Sequence, residues 1–343
     1  SLSGSQLLYS GGRTGAALEV ARRFREAAEL TVSEELADIE LSVQRAYHRA
    51  LLAAELERIS VAALEQAEKF LAHERLRLKS GSAAELDMLR AEVAAANLRP
   101  QQIQARNAAE LALLEVRRLV NIPAQQPLKL GTPLEPPGAE SLKEPVLDSP
   151  RLLQNRPAVG AAERQVRMRE LGVRIARGSY LPTASLRVNY GRFLYPTRAL
   201  TWSGNEWRGD WNAALSVDVP IFDGLRRESQ IDEAQVQLQR AQLQLAQLKE
   251  GVHMQYEQAL GERRRAAADM TARQQTVTQA QRVHDLTVLR YDRGMATQLE
   301  VSDARLALLQ ARTNLAQSLS DFYIADATLL RTLGRSIGAG DRE

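Results

Sequence analysis

The chain contains no cysteine. Thiolate metal sites, redox thiols and disulfides are therefore excluded, while an oxidising compartment is permitted without being demanded. It also lacks any run of about 18 apolar residues, the minimum for a transmembrane helix, so a membrane role would have to be carried by strands. The excess of positive charge is small, a net +3, which gives no argument for a nucleic-acid partner or an anionic membrane surface. Chemistry-bearing motifs are missing as well. His48, His73, His253 and His284 have no metal-ligand spacing and read as helix-surface residues, and no glycine-rich phosphate loop, nucleophile elbow or HExxH is present. No cofactor and no enzymatic activity are expected. The opening SLSGSQLLYSGGR has no signal-peptide pattern and already looks structured.

What is abundant is Ala, Leu, Gln, Arg and Glu, arranged with apolar residues three and four apart. That bias signals long helices or coiled coil in a 343-residue chain. Ile231, Ala234, Leu238, Ala241, Leu245, Leu248 and Val252 form one seam. Ala304, Leu308, Ala311, Leu315, Ser318, Phe322, Ala325 and Leu329 form another, and the alanines permit close helix approach.

The chain also repeats itself. Gly81 and Gly294 are 213 residues apart, and the same offset pairs Leu76 with Leu289, Arg77 with Arg290, Leu86 with Leu299, Asp87 with Glu300 and Tyr9 with Phe222. The spacing predicts long helices over 16–78 and 226–292, each about 95–100 Å at about 1.5 Å per residue. Gly81 and Gly294 should end them in left-handed geometry, with Ser82 and Thr297 helping to start the returning helices. Pro100 should kink or break the first returning helix. Seven of the twelve prolines fall within 121–156, which marks that stretch as a connector between repeats, with helix resuming over 157–180. The basic run Arg263, Arg264 and Arg265 reads as a solvated helix face.

Two segments alternate with period two. In 181–193, Ala184, Leu186, Val188 and Tyr190 oppose Ser185, Arg187 and Asn189. In 211–222, Trp211, Ala213, Leu215, Val217, Val219 and Ile221 oppose Asn212, Ser216 and Asp218. Each has the length of a tilted membrane strand with a lipid face and a wet face, and each equally fits a soluble hairpin packed on one side. Residues 1–9 align with 214–222 under the offset, so the first repeat is expected to lack a helix and a strand at its N-terminal side.

LLYSGGR (7–13), PIFDGLRR (220–227), LVNIP (119–123), RPAVGAAERQV (156–166), ARGSYLPTASLRVNYG (176–191) and YDRGMATQLEVSDAR (291–305), in this order and with this double occurrence, resemble the outer-membrane efflux protein family, the TolC-like exit ducts of Gram-negative bacteria. The resemblance implies a mainly α fold with membrane β-strands. Long antiparallel helical hairpins would form an α-barrel tunnel, and the strands would join a shared twelve-stranded trimeric barrel. On this pattern 1–9 is a membrane strand, 10–120 the first helical hairpin and 121–156 an equatorial connector. Residues 181–222 are a membrane hairpin with an external loop over 194–210, 223–333 is the second helical hairpin and 334–343 a C-terminal tail.

The implied function is a passive conduit of a tripartite efflux or type I secretion system. It would lie in the outer membrane, with most of the chain in the periplasm, as a homotrimer in outer-membrane lipid. A periplasmic adaptor (membrane fusion protein) and an inner-membrane pump would be its partners. Glu300 and Asp303, at i and i+3 on one helical face, match the family's acidic constriction. The residue-level alternative is that they simply favour a helix N-terminus. Tyr291 and Asp87 match contacts that hold the tip closed. The latch arginine of some members falls at Ala296, so the wiring differs here, and Arg90 or Arg293 could substitute. Gly81, Ser82, Gly294 and Met295 would be the adaptor-docking turns. The competing class is a soluble coiled-coil scaffold or a periplasmic adaptor, against which the two hairpins and the period-two strands argue.

Overall fold

The structure is a computed structural model that describes residues 1–82, 84–123, 125–138, 142–143, 149–194 and 207–334. The tip of the loop at 195–206, the tail at 335–343 and parts of the connector lie outside the described residues. Among the described residues nine elements follow in order: β1 Leu2–Tyr9, α1 Arg13–Lys79, α2 Glu85–Leu119, α3 Ser149–Gln154, α4 Pro157–Gly178, β2 Thr183–Leu194, β3 Trp207–Asp218, α5 Arg226–Asp292 and α6 Gln298–Thr332. The chain divides into two compact units, one of 1–34 with 157–251 and one of 35–156 with 252–343.

The offset of 213 is written into the helix ends. Arg13 and Lys79 become Arg226 and Asp292, and Glu85 and Leu119 become Gln298 and Thr332 (226 − 13 = 292 − 79 = 298 − 85 = 332 − 119 = 213). Even the second residue after each returning helix corresponds: Asn121 and Gly334 both have positive φ, 55° and 66°. Helix α2 runs through Pro100 as one element. Proline removes only one donor, the bond to the Ala96 carbonyl, and a 35-residue helix held by packing absorbs that loss.

The first unit carries a three-stranded antiparallel sheet in the order β1-β2-β3. Its register sets like against like: Leu186 faces Leu215, Val188 faces Ala213 and Tyr190 faces Trp211, while Ser185 faces Ser216 and Asn189 faces Asn212. The polar face is hydrogen-bonded across the strands, with Asn189 Nδ2 donating to Asn212 Oδ1 at 2.9 Å. The last strand begins and ends four residues earlier than the alternation suggested, at 207–218 in place of 211–222. Its partner β2 starts at Thr183, opposite Asp218, so Val219 to Phe222 have no strand to pair with, and Pro220 lacks a donor. Helix α4 lies beside α1 and α5, tied by Arg164 to Glu26 at 3.4 Å and Lys249 to Glu163 at 3.0 Å.

The second unit is held by small apolar clusters along paired helices. Ala67, Leu71, Ala91 and Ala95 form one, and Ala266, Met270, Leu319 and Phe322 another. Arg263 is buried, correcting the solvated-face reading, because it continues the inward stripe of Ala259, Ala266 and Met270. Three consecutive helical residues cannot share one face, and Arg264 and Arg265 do stay exposed. The connector is pinned to the helices beneath it. The Tyr47 hydroxyl lies 2.7 Å from Thr132 Oγ1, Tyr323 donates to the Glu135 carbonyl at 2.8 Å, and Arg117 to that of Gln126 at 2.8 Å. It includes the short α3, with Pro150 in the first turn, where proline is tolerated. His48 is also an exception to the surface reading, stacked on Tyr323 at 4.9 Å with an interplanar angle of 4°.

Candidate functional site: the two hairpin ends

Both long helices stop at a glycine in the left-handed region, Gly81 at φ 74° and Gly294 at φ 72°. Each then closes a Schellman motif. Ser82 N donates to Arg77 O at 2.9 Å and Gly81 N to Leu78 O at 3.0 Å; Met295 N donates to Arg290 O at 2.8 Å and Gly294 N to Tyr291 O at 2.9 Å. A side chain locks each turn in the same way. Arg77 Nη2 reaches the Ser82 carbonyl at 3.2 Å and Arg290 Nη2 the Met295 carbonyl at 3.1 Å. Sequence reading paired Arg77 with Arg290 but missed this role. The residues of both turns are exposed, Met295 among them at 55% accessibility.

The returning helices start differently. Thr297 caps α6 in a full capping box: its hydroxyl accepts from Glu300 N at 3.3 Å, and the Glu300 carboxylate accepts from Thr297 N at 3.4 Å. At the corresponding place α2 has Ala84, with no side-chain cap. Ser82, expected to start α2, instead finishes α1, its hydroxyl donating to Arg77 O at 3.1 Å. Two residues before the N-cap, it is out of reach of the N2 and N3 amides.

Glu300 and Asp303 are both exposed, three residues apart in the first turns of α6. Glu300 therefore serves the helix N-terminus in the isolated chain, and Asp303 stands one turn on. Asp87 holds the equivalent position to Glu300 on α2 and lies 4.0 Å from Arg90 Nη1. Arg293 is exposed beside Gly294. Tyr291 is 8% accessible, and its hydroxyl is pushed up to about 12 by burial, then by the neighbouring Glu74 carboxylate; Arg77 opposes this and Asp87 adds to it. The structure thus brings Tyr291 and Asp87 into one neighbourhood.

Sequence reading missed the residues around Tyr291. Glu74 is fully buried, with Oε1 3.5 Å from Arg77 Nη1 and Oε2 without a partner. The Arg77 guanidinium lies 5.0 Å from the Tyr291 ring, that ring 5.9 Å from Phe70, and the Arg305 guanidinium 4.7 Å from Phe70. Burial holds Arg305 below the ordinary arginine value. The signal was available in part: Ala63, Ala67, Leu71 and Glu74 follow the seam's steps of four, four and three, which places a carboxylate on a core position. Among the described residues there is no cluster of side chains that could hold a metal ion, and no helix is long and apolar enough to cross a membrane.

The family model for the outer membrane efflux protein matches residues 149–335. The solvent efflux pump outer membrane protein SrpC of Pseudomonas putida is 24% identical over 262 residues, which are 74% of this chain and 53% of that protein. The cobalt-zinc-cadmium resistance protein CzcC of Cupriavidus metallidurans is 25% identical over 335 residues, 95% of this chain and 74% of that protein. The match with SrpC thus spans about half of that relative's length. In fold, the chain superimposes on the open state of the Neisseria gonorrhoeae MtrE outer membrane channel with a TM-score of 0.82 at 21% identity, over 96% of this chain and 74% of that one.

Proposed function

Because the chain belongs to the outer membrane efflux protein family, we propose that it is the outer-membrane exit duct of a tripartite efflux or type I secretion system. The duct is a passive conduit and not a catalyst. It works as a homotrimer, in which β1, β2 and β3 enter a shared twelve-stranded barrel in outer-membrane lipid and the helical hairpins build a periplasmic tunnel. The observation that carries this reading is the open apolar side of the sheet. Leu2, Trp211, Leu215 and Val217 are 74%, 73%, 67% and 61% accessible, and they share that exposure with Val188 and Tyr190. A contiguous apolar face opposite a hydrogen-bonded polar one suits lipid outside and water within.

In the trimer the tip is the gate. Glu300 and Asp303 form a ring of six carboxylates that raises local cation concentration and repels anions. Tyr291, Asp87, Arg90 and Arg293 supply tip contacts, and the turns at Gly81, Ser82, Gly294 and Met295 receive the periplasmic adaptor, which couples the duct to an inner-membrane pump. The test is outer-membrane fractionation followed by single-channel conductance in a planar bilayer. A detergent-stable trimer giving small, cation-selective currents is the expected result. A soluble monomer would return the chain to the class of coiled-coil scaffolds.

A further inference from the structure

Four side chains at the hairpin end make a continuous stack that crosses three helices. It runs from Arg77 on α1 to Tyr291 on α5, back to Phe70 on α1 and on to Arg305 on α6, with steps of 5.0, 5.9 and 4.7 Å. Around it small side chains pack beside larger ones, Leu71, Met88 and Leu308. Ala67, Ala91 and Ala95 are buried on one side, and Val301 and Ala304 on the inward face of α6. Where alanine and valine line the seam, it resists separation but offers little resistance to one helix rolling on another. Cation–ring contacts are directional, and they hold the roll.

Arg305 lies two residues beyond Asp303 and five beyond Glu300, within the same α6. A helix transmits rotation along its length, so whatever fixes Arg305 fixes the direction in which the two carboxylates project. We infer that Arg77, Phe70 and Arg305, stacked through Tyr291, are positioning residues that set the roll of α6 and hence the aim of Glu300 and Asp303. This rests on the acidic constriction proposed above.

The stack is also poised to release. Arg305 Nε is buried with no hydrogen-bond partner, so the guanidinium gains hydration when it swings off Phe70. That gain offsets part of the lost ring contact.

The experiment is single-channel recording of the intact protein with Phe70→Leu, Phe70→Tyr, Arg305→Met and Glu300→Gln/Asp303→Asn, using hexaamminecobalt(III) on the periplasmic side as the blocking probe. Phe70→Leu and Arg305→Met should raise the open population about tenfold, the shift that about 1.4 kcal/mol produces. They should also weaken trivalent block although both carboxylates remain. Phe70→Tyr keeps the ring and should behave as the parent, so a failure of Phe70→Leu to assemble leaves Arg305→Met against Phe70→Tyr as the deciding pair. If the double carboxylate variant loses block while Arg305→Met keeps the parental block and open population, the positioning role is overturned and the acidic constriction stands. If the double variant keeps its block, the constriction falls and the inference with it.

Discussion

The guanidinium of Arg263 on α5 meets the carboxylate of Asp326 on α6 at 2.5 Å, with Arg263 only 3% exposed at its side chain. Arg263 also donates to the Lys143 carbonyl at 3.3 Å and lies over the Phe322 ring at 5.5 Å, so a single buried cation ties two helices and the connector together. Asp326→Ala removes the carboxylate that this buried cation meets on α6. Because the carboxylate itself is 29% exposed, we place the loss at the lower end of the range for breaking a buried pair, about 3 kcal/mol. Denaturant unfolding of the variant beside Arg263→Met/Asp326→Leu checks it, since the double apolar replacement should be nearly neutral.

Leu225 is an exposed leucine at φ 66°, where its repeat partner is Gly12 at φ 77°. A leucine held in the left-handed region carries about 1–2 kcal/mol of strain. Leu225→Gly should stabilise the start of α5 by about 0.5–1 kcal/mol, after allowing for the extra freedom glycine gains in the unfolded chain. Gly12→Leu should do the reverse at the start of α1. A thermal scan of both variants reads the opposite signs.

The capping asymmetry can be moved from one hairpin to the other. Thr297→Ala should cost about 1 kcal/mol, and Ala84→Ser should add a cap to α2 worth a similar amount. Amide exchange in the first turns of α2 and α6 is the measurement. The uncapped α2 should exchange faster in the parent, and the order should invert in the double variant.

His48 gives a pH dependence of known sign. Burial lowers its pKa below the ordinary 6.5, and nearby Asp326 opposes this. Tyr47, Tyr323 and the connector around Glu135 complete its surroundings. The unfolded chain then takes up a proton at higher pH than the folded one. Stability from His48 is complete above about pH 6.5 and declines as pH falls toward the lowered folded value. His48→Phe should flatten that slope between about pH 7 and pH 5, read from denaturation midpoints across the range.

Much of this was legible in sequence because helices and repeats are local signals. The offset of 213 and the two glycine ends follow from spacing alone and recur as helix bounds; the inward stripe of α6 recurs largely as buried residues, while that of α5 is buried at Ala241 and Val252 and half-buried at its other positions. What escaped depended on a partner from elsewhere in the chain. Arg263 looks like any surface arginine until Asp326 is placed 63 residues away. Likewise, Phe70 and Arg305 are unremarkable until α1, α5 and α6 are side by side. The end of β3 was misplaced because alternation continues through Ile221 while pairing depends on where β2 begins.

The matched bounds of α1 and α5, 67 residues each, also constrain how this chain can change in length. One residue inserted into either helix advances everything after it by about 1.5 Å and turns it by about 100°, which carries the seam off its partner. Seven residues restore the facing positions nearly in register. Insertions and deletions in these helices should therefore survive selection only as whole heptads made in concert.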